Sequence, residues 1–458
     1  MDVLFVFVFV TIIFWCINFL IANGDIMHPA SIFCIVILSC LAMCVISLRD
    51  YKFTLNYTTV WIFSIAMTIF TLYNIFFSIS KAQFGKKKYD TSSISSCDIK
   101  TAIIVGKRTT VICLFFLLIV AVFAVKYLRD LSLAYGGSYL GLSYAMGLYS
   151  NLIKFDLSTF QSLAVDKSPI YTYGWLLATA YSYVYMYIVV HNWVLFKKVS
   201  VLEMLLIGFY FLMTFLSGGR TYAFRVITFL VCIYFFKLKE KNGYKKGTLK
   251  FIFKMVFLAA IVVAGFTLMR QALGRAMSDY LWYQTLFSYW GAPLVNFDHY
   301  LATETYPTSK LWGQETFYWV YNIIGNRFDI PEYIYSLNLP FCTFTGRNTG
   351  NVYTMFYAYM QDFGFWGIFP LTAVIAWVYT KFYSTIKRRI RRGTDIGFSA
   401  IIYGYLFNDL IMLMFSNKFY ETVFTLNFLI TGVLAFAFWK IIVLKDIYFS
   451  GFKIIIKK

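Results

Sequence analysis

Ser217-Gly218-Gly219-Arg220-Thr221 stands between two apolar, aromatic runs, where hydrocarbon-facing side chains are the norm. Adjacent glycines permit a tight turn because they adopt backbone angles closed to other residues. Arg220 and Thr221 then open the helix that follows. Unpaired N–H groups at a helix N-terminus carry partial positive charge, so this end forms a seat for a phosphate or diphosphate. Arg225 comes five residues later, on another face and deeper. A buried arginine requires a partner. The alternative reading of Arg220 is a snorkelling arginine that caps an ordinary hairpin.

Other reactive types lie further along. "GFTLMRQALGRAMSDY" carries Arg270 and Arg275, five apart and so on different helix faces. Either suits a diphosphate, whose oxygens match the guanidinium fork, or anchors a helix end. "YWGAPLVNFDHYL" places Asp298 beside His299 in an aromatic setting. Either residue is able to take a proton from a hydroxyl, in competition with Glu304, Glu315, Asp329 and Glu332. Arg347 sits among Gly346, Asn348 and Gly350, a turn rich in backbone donors. Asp362 precedes a span and is placed to receive an arginine. Asp409, in "YLFNDLIMLMF", is the clearest intramembrane acid and a natural partner for Arg225. No P-loop, G-x-S-x-G or H-E-x-x-H motif is present, and no His/Cys cluster suggests a metal.

These residues must be held by membrane helices. Sixty per cent of the 458 residues are hydrophobic, 14% are charged, and mean hydropathy is +0.68. Several stretches exceed the roughly 18 apolar residues that cross a bilayer core. The reading is an all-α polytopic integral membrane protein, one transmembrane domain over residues 1–458, with about eleven spans. They fall near 3–22, 30–48, 58–80, 109–127, 169–190, 200–216, 222–237, 250–269, 364–383, 397–416 and 421–443. The net charge of +20 collects in short loops at Lys81–Arg108, Lys237–Lys250, Lys381–Arg392 and the C-terminal lysines. That is the positive-inside pattern rather than a nucleic-acid surface. Two segments then fall outside: residues 128–168, spaced like an interfacial amphipathic stretch, and residues 270–351. The second is rich in Trp and Tyr and holds six of the 21 acidic residues. Long ordered loops usually carry function, which places any chemistry on the outer face. The absence of an internal repeat argues against many secondary transporters.

In plan the chain resembles the bacterial oligosaccharide repeat-unit polymerases, the O-antigen polymerase (Wzy-type) family. The likeness rests on "SGGRT" (217–221) opening a span, on "YWGAPLVNFDHYL" (289–301), and on "GNVYTMFYAYMQDFGFWG" (350–367) closing the large outer loop. The paired R-x10-G motif of some members has no counterpart. The resemblance implies a glycosyltransferase similar in fold to the glycosyltransferase C class, multi-pass in the bacterial inner membrane and working on the periplasmic face. Its substrates would be undecaprenyl-diphosphate-linked oligosaccharides within the membrane lipid, with a chain-length regulator protein as a partner and no cofactor or metal. By this resemblance Arg220 and Arg347, with Arg270 or Arg275, neutralise the departing diphosphate, and Asp298 or His299 is the base. Gly218, Gly219, Thr221, Arg225, Asp362 and Asp409 support the site. An O-antigen ligase or a flippase of lipid-linked oligosaccharide are the rival readings.

Overall fold

The computed structural model describes residues 2–84, 101–242, 251, 254, 281–335, 339–445, 447–450 and 453–456. The expected span at 250–269, with Arg270 and Arg275, lies outside them. The chain begins with α1 (Val3–Ile21), α2 (Pro29–Tyr51), α3 (Tyr57–Phe84) and α4 (Lys107–Gly136). Then come α5 (Leu142–Phe155), α6 (Leu157–Ser162), α7 (Pro169–Phe196), α8 (Val201–Met213) and α9 (Thr221–Asn242). The outer segment holds α10 (Trp282–Trp290), α11 (Ala292–Thr303), α12 (Tyr318–Phe328) and a hairpin of β1 (Cys342–Phe344) and β2 (Arg347–Gly350). The rest comprises α13 (Phe356–Phe363), α14 (Phe365–Arg392), α15 (Gly397–Ile411), α16 (Lys418–Val423), α17 (Leu426–Phe438) and a terminal hairpin of β3 (Ile447–Ser450) and β4 (Lys453–Ile456).

Among the described residues, 8 helices are long and apolar enough to cross a membrane: α1 to α4, α9, α14, and the stretches Gly397–Met414 and Leu426–Leu444. This is an all-α multi-pass membrane architecture. Two of the other expected spans are weaker by composition. At 28 residues α7 exceeds the length of a span, but its tyrosines reduce its hydropathy. The stretch Val201–Ser217 is apolar but short.

Local chemistry sets the helix ends. Ser168 accepts the Tyr171 N–H at 3.1 Å, and Pro169 takes the first position of α7, where a missing N–H costs nothing. Gly393 closes α14 in the left-handed region at φ 69°. α7 is the central helix, packed on α4, α8, α9 and α17. Its Tyr181, Tyr183, Tyr185 and Tyr187 are each buried.

Buried charge ties the two ends of the bundle together. On the basic side Asp25, in the α1–α2 turn, receives Lys387 Nζ at 2.5 Å and Tyr383 Oη at 2.8 Å. Lys237, fully buried, reaches Glu240 at 2.8 Å and Asp395 at 3.6 Å. The α1–α2 turn therefore shares a side with the basic end of α14, and the α2–α3 turn faces the other way. Deep between α9 and α15, Arg225 Nη2 meets Asp409 Oδ1 at 2.5 Å and Thr422 Oγ1 at 3.1 Å. Its Nη1 donates to Tyr405 Oη at 2.9 Å, and the guanidinium lies 4.5 Å from that ring's centroid.

Removing one member of such a pair strands the other in a dry interior, which costs about 3–5 kcal/mol. Arg225→Met and Asp409→Leu should each lower the unfolding temperature of the protein in detergent sharply. The double variant should recover a large part of the loss. Additive losses would show that the two charges do not depend on each other.

Candidate functional site

The turn at residues 217–220 faces the side opposite the basic loops. Residues Thr214–Ser217 tighten into a short 3-10 turn, and Gly218 follows at φ 69°. A side chain at Gly218 would stand 2.7 Å from the Met146 carbonyl and 3.1 Å from Ser150 Cβ, so α5 lies directly on the turn. Glycine is required there twice over, by angle and by space. Gly219 differs. A Cβ there would meet nothing nearer than Ser217 Oγ at 4.0 Å, which leaves open space beside the turn. Thr221 is the first residue of α9.

Arg220 is nearly buried at 8% exposure. Its guanidinium lies 4.8 Å from the ring centroid of Tyr289 and donates to Tyr289 Oη at 2.8 Å. Tyr289 in turn stacks on Phe415, with centroids 6.4 Å apart and planes 6° apart. α10 of the outer segment thus presses its last turn onto Arg220. At the first turn of the same helix, Tyr283 Oη and Gln284 Nε2 donate to Asp50 Oδ2 at 2.8 and 3.0 Å. Arg347 Nη1 approaches that oxygen at 3.7 Å. The two arginines therefore flank α10. The Arg347 side chain is 43% exposed and its ion pair is loose, so the pair contributes only about 0–1 kcal/mol and leaves the guanidinium exchangeable.

The neighbouring acids have different roles from those the sequence suggests. Asp298 is buried, with Oδ1 receiving the Asn56 N–H at 2.9 Å and the Thr59 hydroxyl at 2.5 Å, and Oδ2 receiving Asn56 Nδ2 at 2.9 Å. It caps the start of α3 from another element. Burial pushes its carboxyl up from the ordinary value, against the pull of those donors. Both of its oxygens are thus engaged in tying α11 to the start of α3. Its neighbour His299 is exposed, its ring edge-on to Phe344 at 5.6 Å. Phe344 pairs with Arg347 in the hairpin register, so His299 and Arg347 share one neighbourhood. The hairpin is fixed to α11 through Thr349 Oγ1, which donates to Asn296 Oδ1 at 2.8 Å.

Asp362 receives two backbone N–H groups, from Glu315 at 3.0 Å and Thr316 at 2.6 Å, where an arginine was expected. It shapes the loop before α12. Glu315 then lies beside a carboxylate, in a partly closed setting. Burial first, and the Asp362 charge second, push it up to about 7. Asn417 Nδ2 donates to the Thr316 carbonyl at 3.2 Å, joining this corner to the link that carries Phe415. Arg225 and Asp409 form the buried pair already described. Among the described residues no group of three or more His, Cys, Asp or Glu could hold a metal ion.

Sequence reasoning missed Tyr289 as the platform for Arg220, because a tyrosine in "SYWGAP" carries no signal of its own. It also missed Lys167. The ammonium of that residue lies 5.4, 5.2 and 5.8 Å from the rings of Tyr127, Tyr149 and Tyr171. No protein-family model, curated protein or solved structure matches the chain.

The raised Glu315 value has a sign that experiment reads. The folded state holds this proton more tightly than the unfolded chain, whose glutamate titrates near 4.5. Its favourable contribution is complete below that value and is lost as pH rises through about 7. The unfolding temperature of the wild type should therefore fall relative to Glu315→Gln between those limits. Parallel profiles for the two proteins would contradict the assignment.

Proposed function

We propose that the protein is a membrane glycosyltransferase that polymerises lipid-linked oligosaccharide on the face opposite its basic loops. The observation that carries this reading is Arg220. A guanidinium is held against a tyrosine at the N-terminus of a spanning helix, beside a glycine with open space over it. A helix N-terminus, an arginine and bare backbone suit a diphosphate. A reaction at this surface has no ATP to draw on, and a polyprenyl diphosphate donor carries its own leaving group. The exposed aromatic side chains of the outer segment suit sugar rings.

In the proposed reaction, a hydroxyl at the non-reducing end of a new repeat unit attacks the anomeric carbon of the growing chain. The bond from that carbon to the diphosphate oxygen breaks, and undecaprenyl diphosphate leaves with the electron pair. Arg220 neutralises the charge that develops on it, and Arg347, with its loose partner, is the second cation. Fixed donors aimed at developing charge are the strongest catalytic device available to such a site. His299, exposed near Arg347, receives the hydroxyl proton, since the oxygens of Asp298 are engaged. Arg270 and Arg275 lie outside the described residues and carry no part of the argument. By the same reading the fold is related to the glycosyltransferase C class, and the protein works in a bacterial inner membrane, facing the periplasm, beside a chain-length regulator. The flippase reading drew on Arg225 and Asp409, and these two charges are spent on each other.

A glycan gel of the native host tests the proposal, comparing wild type, a deletion, Arg220→Gln and His299→Ala. Loss of the ladder, with single repeat units retained at the surface, is the expected result for the deletion and for Arg220→Gln. His299→Ala should shorten or abolish the ladder, and Asp298→Asn should act through stability alone. Loss of all surface glycan would favour a ligase or flippase instead.

A further inference from the structure

Lys167 is an exposed residue whose ammonium is turned back into three tyrosines. The rings come from three helices: Tyr127 from α4, Tyr149 from α5 and Tyr171 from α7. Each of the three is buried. Lys167 Nζ donates to Tyr149 Oη at 2.9 Å. Among the described residues no carboxylate pairs with it. Aromatic faces stand where a counter-charge is expected, and they attract a cation through the ring quadrupole. The enclosure also removes water from the ammonium and pulls its pKa down, although the residue as a whole is exposed.

This box adjoins the turn at Gly218. Ser150, next in the chain to Tyr149, is the residue whose nitrogen and Cβ would stand 3.3 and 3.1 Å from a Cβ at Gly218. Tyr171 of the box packs edge-on to Trp175 at 5.8 Å, and Tyr222 comes two residues after Arg220. Tyr222 also packs edge-on to Trp175 at 6.5 Å. Lys167 and Arg220 therefore border the same turn. One is parked among tyrosines, the other lies against Tyr289, and the open space over Gly219 belongs to that turn.

We propose that Lys167 is a further cation of the anion site at residues 217–221, beside Arg220 and Arg347, leaving its tyrosine box to bind a phosphate ester set over Gly219. The ligand class is a diphosphate ester, and the proposal rests on the reading that Arg220 meets the diphosphate of a lipid-linked donor. A charge-assisted hydrogen bond to phosphate is stronger than a cation–π contact. The ammonium is therefore held near the site when the site is empty and transfers when the anion arrives. The tyrosine box keeps a flexible lysine from straying and lowers the entropy lost on binding.

The test uses the full chain in phosphatidylcholine nanodiscs, with farnesyl diphosphate and inorganic pyrophosphate as probes. Lys167→Met should weaken farnesyl diphosphate binding about tenfold, and Lys167→Arg should restore most of it. Tyr127→Leu opens the box but keeps the ammonium, so its affinity should stay at the wild-type value or rise. Equal affinities for the two probes would make the diphosphate itself the ligand, and a preference for the farnesyl ester would make it the lipid-linked form; both support the proposal. Lys167→Met binding as tightly as wild type overturns it, and if Arg220→Gln loses binding in the same series, the diphosphate reading of Arg220 survives alone. Tyr127→Leu losing as much affinity as Lys167→Met also overturns it, by reducing Lys167 to a clasp between helices. No binding of either probe to wild type removes both claims.

Discussion

Arg225 and Asp409 form the contact on which the outer face depends. A guanidinium and a carboxylate meet at 2.5 Å with side chains 7% and 0% exposed, so neither can be satisfied by water. The pair fixes α9 against α15. Thr422 from α16 and Tyr405 from α15 also accept from the guanidinium. Arg220 lies five residues before Arg225, so fixing the first turns of α9 fixes the turn above it. The link from α15 to α16 carries Phe415 under Tyr289 and Asn417 against the loop that holds Glu315. One buried interaction therefore sets the position of both corners of the outer surface.

Charge is handled differently at the two ends of the bundle. On the basic side lysines meet acids: Lys387 with Asp25, and Lys237 with Glu240 and Asp395. These contacts close the bundle at that end. On the other side Arg220 and Lys167 are held against tyrosine rings, and Arg347 has one loose carboxylate. A ring positions a cation without neutralising it. Lys167, with no carboxylate paired to it among the described residues, and Arg347, with one loose partner, suit the anionic ligand proposed above.

The helical membrane class was legible because hydropathy and loop charge act over long windows, where individual exceptions average out. The same averaging blurs the number of spans, as the tyrosine-rich α7 and the short stretch at Val201–Ser217 show. The need for a partner at Arg225 was legible too, since an ionised group at membrane depth cannot stand alone. The roles of Asp298 and Asp362 were not. Asp298 finds Asn56 across 242 residues, and Asp362 finds Glu315 across 47. No local pattern reports such a cap. The "FYAYM" stretch of α13 is buried as well, with the Met355 N–H bound to the Leu413 carbonyl at 2.9 Å. Tyrosines 127, 149 and 171 come together only through the packing of three helices.

The most direct test of the account is release of the leaving group. Purified protein in bilayers would be given a synthetic oligosaccharide linked to undecaprenyl diphosphate, and both polymer and free undecaprenyl diphosphate would be measured. The account predicts one molecule of lipid diphosphate released for each new glycosidic bond, without added nucleotide, and loss of both products in Arg220→Gln. Polymer and lipid diphosphate formed at the wild-type rate by that variant would contradict it, as would an active-folded wild type that releases neither.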